Sequence, residues 1–108
     1  MSQNRTTLTD EDTIGRLLLR AELQLELEDW ALRTYYRDAG EYVLNIWPKK
    51  DAQPPQYPWY NRGGYVLTKD LMKKLESQGF ILVGPARGGS DTIRLTPHGR
   101  TWAQSLMD

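Results

Sequence analysis

The sequence contains no cysteine and only one histidine, His98, among its 108 residues. Without cysteine the chain has no disulfides, no thiolate nucleophile and no sulfur ligand for zinc or iron, and one histidine offers no His pair to a metal. No apolar run approaches the roughly 20 residues of a membrane span, and the polar N-terminus lacks the apolar stretch of a secretory signal. These absences predict a cytoplasmic protein with no metal and no cofactor.

Catalytic motifs are also scarce in this sequence. The best candidates for acid–base chemistry are His98, Glu26, Glu28 and Asp29. No nucleophile elbow or metal-ligand spacing accompanies them. The two Gly-Gly pairs lack the surrounding Gly-x-x-x-x-Gly-Lys pattern that binds phosphates. We therefore expect a protein that is not an enzyme.

An excess of charge of one sign is missing as well. The 14 basic residues balance 14 acidic ones, and 39% of the residues are hydrophobic, which is enough to bury a core. The length fits one domain over residues 1–108, with a flexible N-terminus over residues 1–8. Residues 61–100 carry seven basic and three acidic side chains, whereas residues 1–60 carry seven basic and ten acidic ones. The two parts of the chain therefore differ in the sign of their charge.

Residues 9–40 are rich in Leu, Glu, Arg and Ala, and this composition predicts a helical segment. Thr9 followed by Asp12 resembles a capping box, and Gly40 suits a C-terminal stop. One apolar stripe is expected to face the core and contains Ile14, Leu18, Ala21, Leu25, Leu32, Tyr35 and Ala39. A second apolar row lies almost opposite and contains Leu19, Leu23, Leu27 and Trp30.

A single helix over this segment would be too long for a domain of this size. About 30 residues at about 1.5 Å each make a rod of roughly 45 Å, whereas such a domain has a radius of gyration of about 13 Å. The segment therefore either breaks near Glu28 and Asp29 into two helices, or stays whole and offers its second row to another chain. A third interpretation takes Leu23, Leu25 and Leu27, which alternate with polar residues, as a strand with one solvated face.

The middle of the chain combines a strand with a long loop. Residues 41–47 are dense in aromatic and β-branched side chains and predict a strand. Residues 48–64 carry four prolines and predict an extended loop. The rings of Tyr57, Trp59 and Tyr60 either form a recognition loop for a partner or pack back on the domain in place of secondary structure. We favour the packing.

The last part of the chain predicts a helix, a hairpin and another helix. Thr68 is a suitable N-cap for a helix that Gly79 closes. Residues 80–83 and 92–95 predict two strands joined by a glycine-rich turn. Thr96 then caps the final helix, which begins with a proline.

The predicted hairpin has a defined orientation. Ile93 and Leu95 should point inward and Arg94 outward, because alternate residues of a strand face opposite sides of the sheet. Arg87 sits beside two glycines in the turn, where a long cationic side chain can reach outward. The hairpin therefore offers basic side chains on its outer surface.

The run LMKKLESQGFI, the basic, glycine-rich turn and the run IRLTPHGRTWA together resemble the second half of winged-helix domains of the MarR and PadR kind. In those families the second strand of the wing ends in Leu-Thr, two variable residues and Gly, which Leu95, Thr96 and Gly99 match. The resemblance covers roughly residues 65–106. It implies an α+β, winged-helix-like fold, with a long N-terminal helical segment followed by a strand, the proline and aromatic loop, a helix, a β-hairpin wing and a C-terminal helix. Residues 54–64 stand where those families have a helix before the recognition helix.

The resemblance also implies a function, that of a winged-helix DNA-binding protein acting as a dimeric transcriptional regulator. The helix from Thr68 would enter the major groove of duplex DNA, and the wing would follow the backbone or the minor groove. In this winged-helix-like half, residues 65–107, the residues expected to contact DNA are Lys69, Lys73, Lys74, Ser77, Arg87 and Arg94. The sequence pI of about 6.6 lies below the value above about 9 that is usual for a DNA-binding domain.

The alternative is a winged-helix-like protein-interaction module or small inhibitor that binds a protein partner, or a second copy of itself, without DNA. Its expected contacts are the second helical row and the loop rings: Leu19, Leu23, Leu27, Trp30, Tyr57, Trp59 and Tyr60. Aromatic anchors of this kind often dominate the binding energy of protein interfaces. The sequence leaves both hypotheses open.

Overall fold

The computed structural model describes residues 5–24, 27–37, 40–48, 59–61, 64–85 and 91–107. In chain order their elements are β1 (Thr6–Thr7), α1 (Glu11–Gln24), β2 (Leu27–Arg37), β3 (Glu41–Pro48), β4 (Tyr65–Thr68), α2 (Lys69–Ser77), β5 (Ile81–Pro85), β6 (Asp91–Leu95) and α3 (Pro97–Met107). The predicted α+β class is confirmed. The finer winged-helix arrangement is not.

The strands of the described residues lie in one sheet in the order β1-β4-β3-β2-β6-β5. Neighbouring strands are antiparallel except β1 and β4, which are parallel. β2 pairs with β3 on one side, and on its other side it meets β6 at two positions, Arg33 opposite Thr92 and Thr34 opposite Asp91. This short ladder joins the first four strands of the sheet to the β5–β6 hairpin.

The long helix predicted for residues 9–40 is wrong beyond Gln24, where α1 ends. Strand β2 follows, so a break at Glu28 and Asp29 with a second helix after it is wrong too. The interpretation of Leu23, Leu25 and Leu27 as a strand is wrong at Leu23, which lies in α1, and correct at Leu27, while Leu25 lies outside the described residues. Helix propensities differ between ordinary residues by at most about 0.7 kcal/mol each. Pairing with strands on both sides, together with the aromatic and β-branched residues of β2, outweighs that preference.

Helix α1 also starts differently from the prediction. Asp10 caps it in place of Thr9: the Thr13 backbone N–H donates to Asp10 Oδ1 at 2.8 Å, and the Thr13 hydroxyl donates to Oδ2 at 2.8 Å. These hydrogen bonds, the backbone one first, hold the pKa of the Asp10 carboxyl below its ordinary value. Gly40, which was expected to stop the helix, supplies a positive φ of 75° at the turn between β2 and β3.

Helix α1 packs against α3 and β6, and its buried side belongs to the hydrophobic core. Its buried residues are Ile14, Gly15, Leu17, Leu18, Leu19 and Ala21. At about 100° per residue these positions span roughly 200° of the helix circumference, wider than one amphipathic stripe. Gly15 permits the closest contact, because a Cβ there would lie 2.5 Å from a ring carbon of Trp102. The lack of a side chain at Gly15 therefore lets the Trp102 indole lie on α1.

The predicted order of helix, hairpin and helix at the C-terminal end is confirmed. Thr68 caps α2, since its Oγ1 accepts a hydrogen bond from the Leu71 backbone N–H at 3.1 Å. In β6, Ile93 and Leu95 are each 1% exposed, whereas Arg94 is exposed. The inward and outward directions predicted for the hairpin are therefore correct.

The Leu-Thr-x-x-Gly signature forms a structural joint at the start of α3. Thr96 Oγ1 accepts from the Gly99 backbone N–H at 2.9 Å and donates to the Gly79 carbonyl at 2.5 Å. The Thr96 backbone N–H donates to the Phe80 carbonyl at 3.1 Å. A Cβ on Gly99 would collide with that same carbonyl. The signature thus fixes the first turn of α3 against the segment between α2 and β5.

The close contact at Gly99 predicts that one added methyl group there destabilises the protein. Gly99→Ala should lower the free energy of unfolding by about 1–3 kcal/mol, because the backbone of Phe80 would have to move. Urea unfolding followed by tryptophan fluorescence measures the change. Gln104→Ala, at an exposed position of the same helix, is the control and should stay within about 0.5 kcal/mol of the wild type. Equal stability of the Gly99 variant and the control would contradict the packing described.

The hairpin register predicts unequal costs for neighbouring residues. Ile93→Ala should lower the free energy of unfolding by about 2–4 kcal/mol, because it truncates a fully buried side chain. Arg94→Ala should change it by less than about 0.5 kcal/mol, because the Arg94 side chain is exposed. The same urea titration compares the two, and similar losses would show that the register is wrong.

Candidate nucleic-acid interface

The outward side of α2 is a row of three exposed side chains, Asp70, Lys73 and Ser77. The opposite side of the helix is buried at Met72 and Leu75. At about 100° per residue, the row lies almost diametrically across from these two buried positions. The row, which we call the central row, is therefore the part of α2 farthest from the core.

Two lysines flank the central row. Lys69 and Lys74 each lie roughly 70° around the helix from its centre, on opposite sides, and both are exposed. Lys74 Nζ lies 2.9 Å from Glu11 Oε1 of α1, so its charge is already partly compensated. Both lysines were expected to contact DNA, whereas the structure pairs Lys74 with a carboxylate of α1.

The β5–β6 hairpin follows α2 in the chain, and its described residues include one exposed basic side chain. Arg94 of β6 lies opposite Leu82 of β5 in the ladder, and both side chains are exposed, Leu82 to 48%. With Gly84 and Thr92 they line a shallow groove of about 180 Å³ on the outer surface of the hairpin. The remaining basic residue of the predicted wing, Arg87, lies outside the described residues.

The support for α2 differs from that of a helix-turn-helix. Strand β4 leads directly into α2 at Lys69, whose backbone N–H donates to the Gly40 carbonyl at 2.8 Å. Within the described ranges no helix stands between α1 and α2; strands β2, β3 and β4 do. In the described part of the chain, α2 therefore packs against strands β3, β4 and β5, and its link to the preceding helix α1 is the ion pair of Lys74 with Glu11.

The loop rings that were candidates for partner binding pack on the domain. Trp59 and Tyr60 are half-buried against the core. The Trp59 Nε1–H donates to Gln24 Oε1 at 2.9 Å, and the Tyr60 hydroxyl donates to the Ile46 carbonyl at 3.5 Å. The preferred interpretation, in which the rings pack back, is confirmed for these two residues, and Tyr57 lies outside the described residues.

Tyr65 is a structural residue that sequence reasoning did not single out. Its side chain is 2% exposed, and its hydroxyl donates to the Trp59 carbonyl and accepts from the Asn61 backbone N–H, each at 2.8 Å. Burial raises the pKa of the Tyr65 phenol. The only signal in the sequence was an aromatic residue in a short apolar run, which does not reveal what its hydroxyl binds. The phenol therefore anchors the end of the loop to β4.

The second apolar row that was predicted on one helix is divided between α1 and β2. Leu19 is buried at 3% exposure, whereas Leu23 is 66% exposed near the end of α1. Leu27 and Trp30 belong to β2, because the chain leaves the helix at Gln24. Of the four proposed contacts, only Leu23 is an exposed helical residue.

Of the enzyme candidates, His98 is the one whose side chain the structure describes. His98 stacks on Phe80 with ring centroids 5.1 Å apart, and Phe80 stacks on Trp102 at 4.2 Å. Glu28 and Asp29 lie on β2, and Glu26 lies outside the described residues. In the described part of the chain, no cluster of three or more His, Asp or Glu residues is placed to hold a metal ion. None of its helices is long and apolar enough to cross a membrane.

Similarity to known proteins assigns neither family nor function. No protein-family model matches the chain, and no curated protein and no solved structure does. The winged-helix resemblance therefore stands on the quoted residues, chiefly Leu95, Thr96 and Gly99. Because Thr96 and Gly99 act in packing α3, they bear on the fold and not on what the protein binds.

Proposed function

We propose that this protein binds duplex DNA through the outward side of α2, with the β5–β6 hairpin alongside. The observation that carries the proposal is the central row of α2 with a lysine on each flank. A helix in the major groove turns its flanks toward the two phosphate backbones and its outermost row toward the base edges. Lys69 and Lys74 occupy the flanks, and Asp70, Lys73 and Ser77 occupy the row.

The dimensions of α2 suit this placement. A helix with its side chains is about 10–12 Å across, and the major groove is about 12 Å wide. The nine residues of α2 span roughly 13 Å, which is about the length of four base-pair steps. Arg94 of the β5–β6 hairpin is exposed, and we propose that it makes a further contact with the DNA backbone.

The biological role that fits such a domain is regulation of transcription, with the protein acting as a dimer. Its near-neutral charge limits the number of phosphate contacts and therefore the affinity for DNA of random sequence. The pairing of Lys74 with Glu11 works in the same direction. We therefore expect weak non-specific binding that is measurable only at low salt.

A DNA titration tests the proposal directly. Fluorescence anisotropy with a random-sequence duplex, between about 50 and about 200 mM salt, should show binding that weakens as salt rises. Lys69→Gln and Arg94→Gln should each weaken binding and reduce the slope of log affinity against log salt by about 0.9, the value for one lost phosphate contact. Arg100→Gln is the matched control. It removes the same charge on α3, where Arg100 pairs with Glu22 at 2.8 Å, and should leave the slope unchanged.

Two results would overturn the DNA proposal. One is the absence of any duplex binding by the wild type at the lowest salt. The other is an equal loss for Arg100→Gln and Lys69→Gln, since that would show a general effect of net charge and no particular surface. A third result, competition by single-stranded DNA as strong as that by duplex DNA, would leave DNA binding standing but refute docking in a groove.

The exposed side chain of Leu23 favours a second candidate function, which is self-association or binding of a protein partner. This leucine is 66% exposed, and of the predicted partner contacts it is the one that the structure places on a helix surface. We propose that Leu23 contacts a second copy of the chain. This contact is compatible with DNA binding by a dimer.

The Leu23 contact predicts a change in molecular mass. Light scattering should give a mass above that of the monomer for the wild type and the monomer mass for Leu23→Glu, because a carboxylate in an apolar interface is strongly unfavourable. Leu82→Glu, which alters an exposed leucine on β5, is the control and should keep the wild-type mass. A monomeric wild type would refute the contact.

A further inference from the structure

The central row of α2 presents groups of opposite charge that remain available to a ligand. Asp70 and Lys73 are both exposed and lie three positions apart on one side of the helix. Among the residues that the structure describes, neither the Asp70 carboxylate nor the Lys73 ammonium forms a hydrogen bond or an ion pair. Lys74, by contrast, is engaged with Glu11. The two charged groups of the central row are thus uncommitted among the described residues, whereas the third member, Ser77, donates its hydroxyl to the Lys74 carbonyl at 2.9 Å.

A carboxylate at this place restricts what the helix can face. Next to the phosphate charge of DNA, Asp70 is repelled unless a donor on a base compensates it. In the major groove the donors are the N4 amino group of cytosine and the N6 amino group of adenine, and carboxylates typically accept from cytosine. Lys73 needs the opposite chemistry, which the O6 and N7 acceptors of guanine supply.

We infer that Asp70 and Lys73 give the protein a sequence preference, with Asp70 selecting a cytosine and Lys73 a guanine in a neighbouring base pair. This inference rests on the proposed DNA binding. Three residues of helix advance about 4.5 Å, and one base pair advances about 3.4 Å, so the two side chains reach adjacent pairs. Asp70 therefore disfavours base pairs that offer it no amino group, while Lys69 and Lys74 contact the phosphate backbone of the DNA.

Glu76 separates this role from a simple effect of negative charge. It is exposed on the same helix, but it lies roughly 90° around α2 from the centre of the row. A carboxylate there faces away from the base edges. Neutralising Glu76 therefore makes the same change in charge as neutralising Asp70, without touching the proposed contact.

The test selects the duplexes that bind the protein from a library with a randomised centre. The selection is repeated with the wild-type chain, Asp70→Asn, Glu76→Gln and Lys73→Gln. The wild type should enrich a cytosine next to a guanine–cytosine pair by about tenfold over other bases, as expected for one good base contact. Asp70→Asn should replace the selected cytosine with adenine, because an amide pairs with adenine N6 and N7. Lys73→Gln should replace the guanine with adenine for the same reason. Glu76→Gln should select the wild-type sequence.

The outcomes distinguish this inference from the proposed function. If the wild type binds duplex DNA at low salt but enriches no base, the preference is refuted and DNA binding stands. If Asp70→Asn selects the same sequence as the wild type, or Glu76→Gln alters the selection, Asp70 is an ordinary first-turn acid that stabilises the helix. If no duplex binds, both proposals fail. Circular dichroism of each variant verifies that the helix is retained, and Lys73→Gln provides a second readout should Asp70→Asn unfold.

Discussion

The contact between Trp102 and Gly15 organises the packing of the described residues. The indole lies on α1 where the helix has no side chain, and Phe80 stacks on the indole with the two rings nearly parallel, at 1°. One ring thus joins α1, α3 and the segment that leads from α2 into β5. The Thr96 and Gly99 joint holds the same segment from the other side. The end of α2 and the start of the hairpin are thus held by contacts with α1 and α3.

The C-terminal half could be predicted because its local signals agree with its packing. Thr68 and Thr96 cap the helices, Gly79 takes a positive φ of 76°, and the alternation at Ile93 and Leu95 matches the buried side of the hairpin. The segment after Gln24 could not be predicted, because its helix-forming residues pair with neighbouring strands. Its pairing with β3 follows the turn at Gly40, whereas its pairing with β6, at Arg33 and Thr34, involves residues far along the chain and is not visible in the local sequence.

The residues of the candidate site could be predicted from the sequence, but the ion pair at its edge could not. The exposure of Lys69, Lys73 and Ser77 follows from the apolar spacing of Met72 and Leu75. The pairing of Lys74 with Glu11 does not, because the two residues are far apart in sequence. A count of charges treats all lysines as equal, whereas the fold pairs Lys74 with the carboxylate of Glu11.

The two-position ladder between β2 and β6 has a mechanical consequence. An antiparallel pair this short resists sliding but offers little resistance to twisting about its own direction, because few hydrogen bonds define the angle. The angle between the hairpin and the first four strands is therefore set chiefly by the side chains that the hairpin buries, Ile81, Ile93 and Leu95, and by the contact of Thr96 with Gly79. The packing of the core, more than the hydrogen bonds of the sheet, thus fixes where the hairpin lies relative to α2.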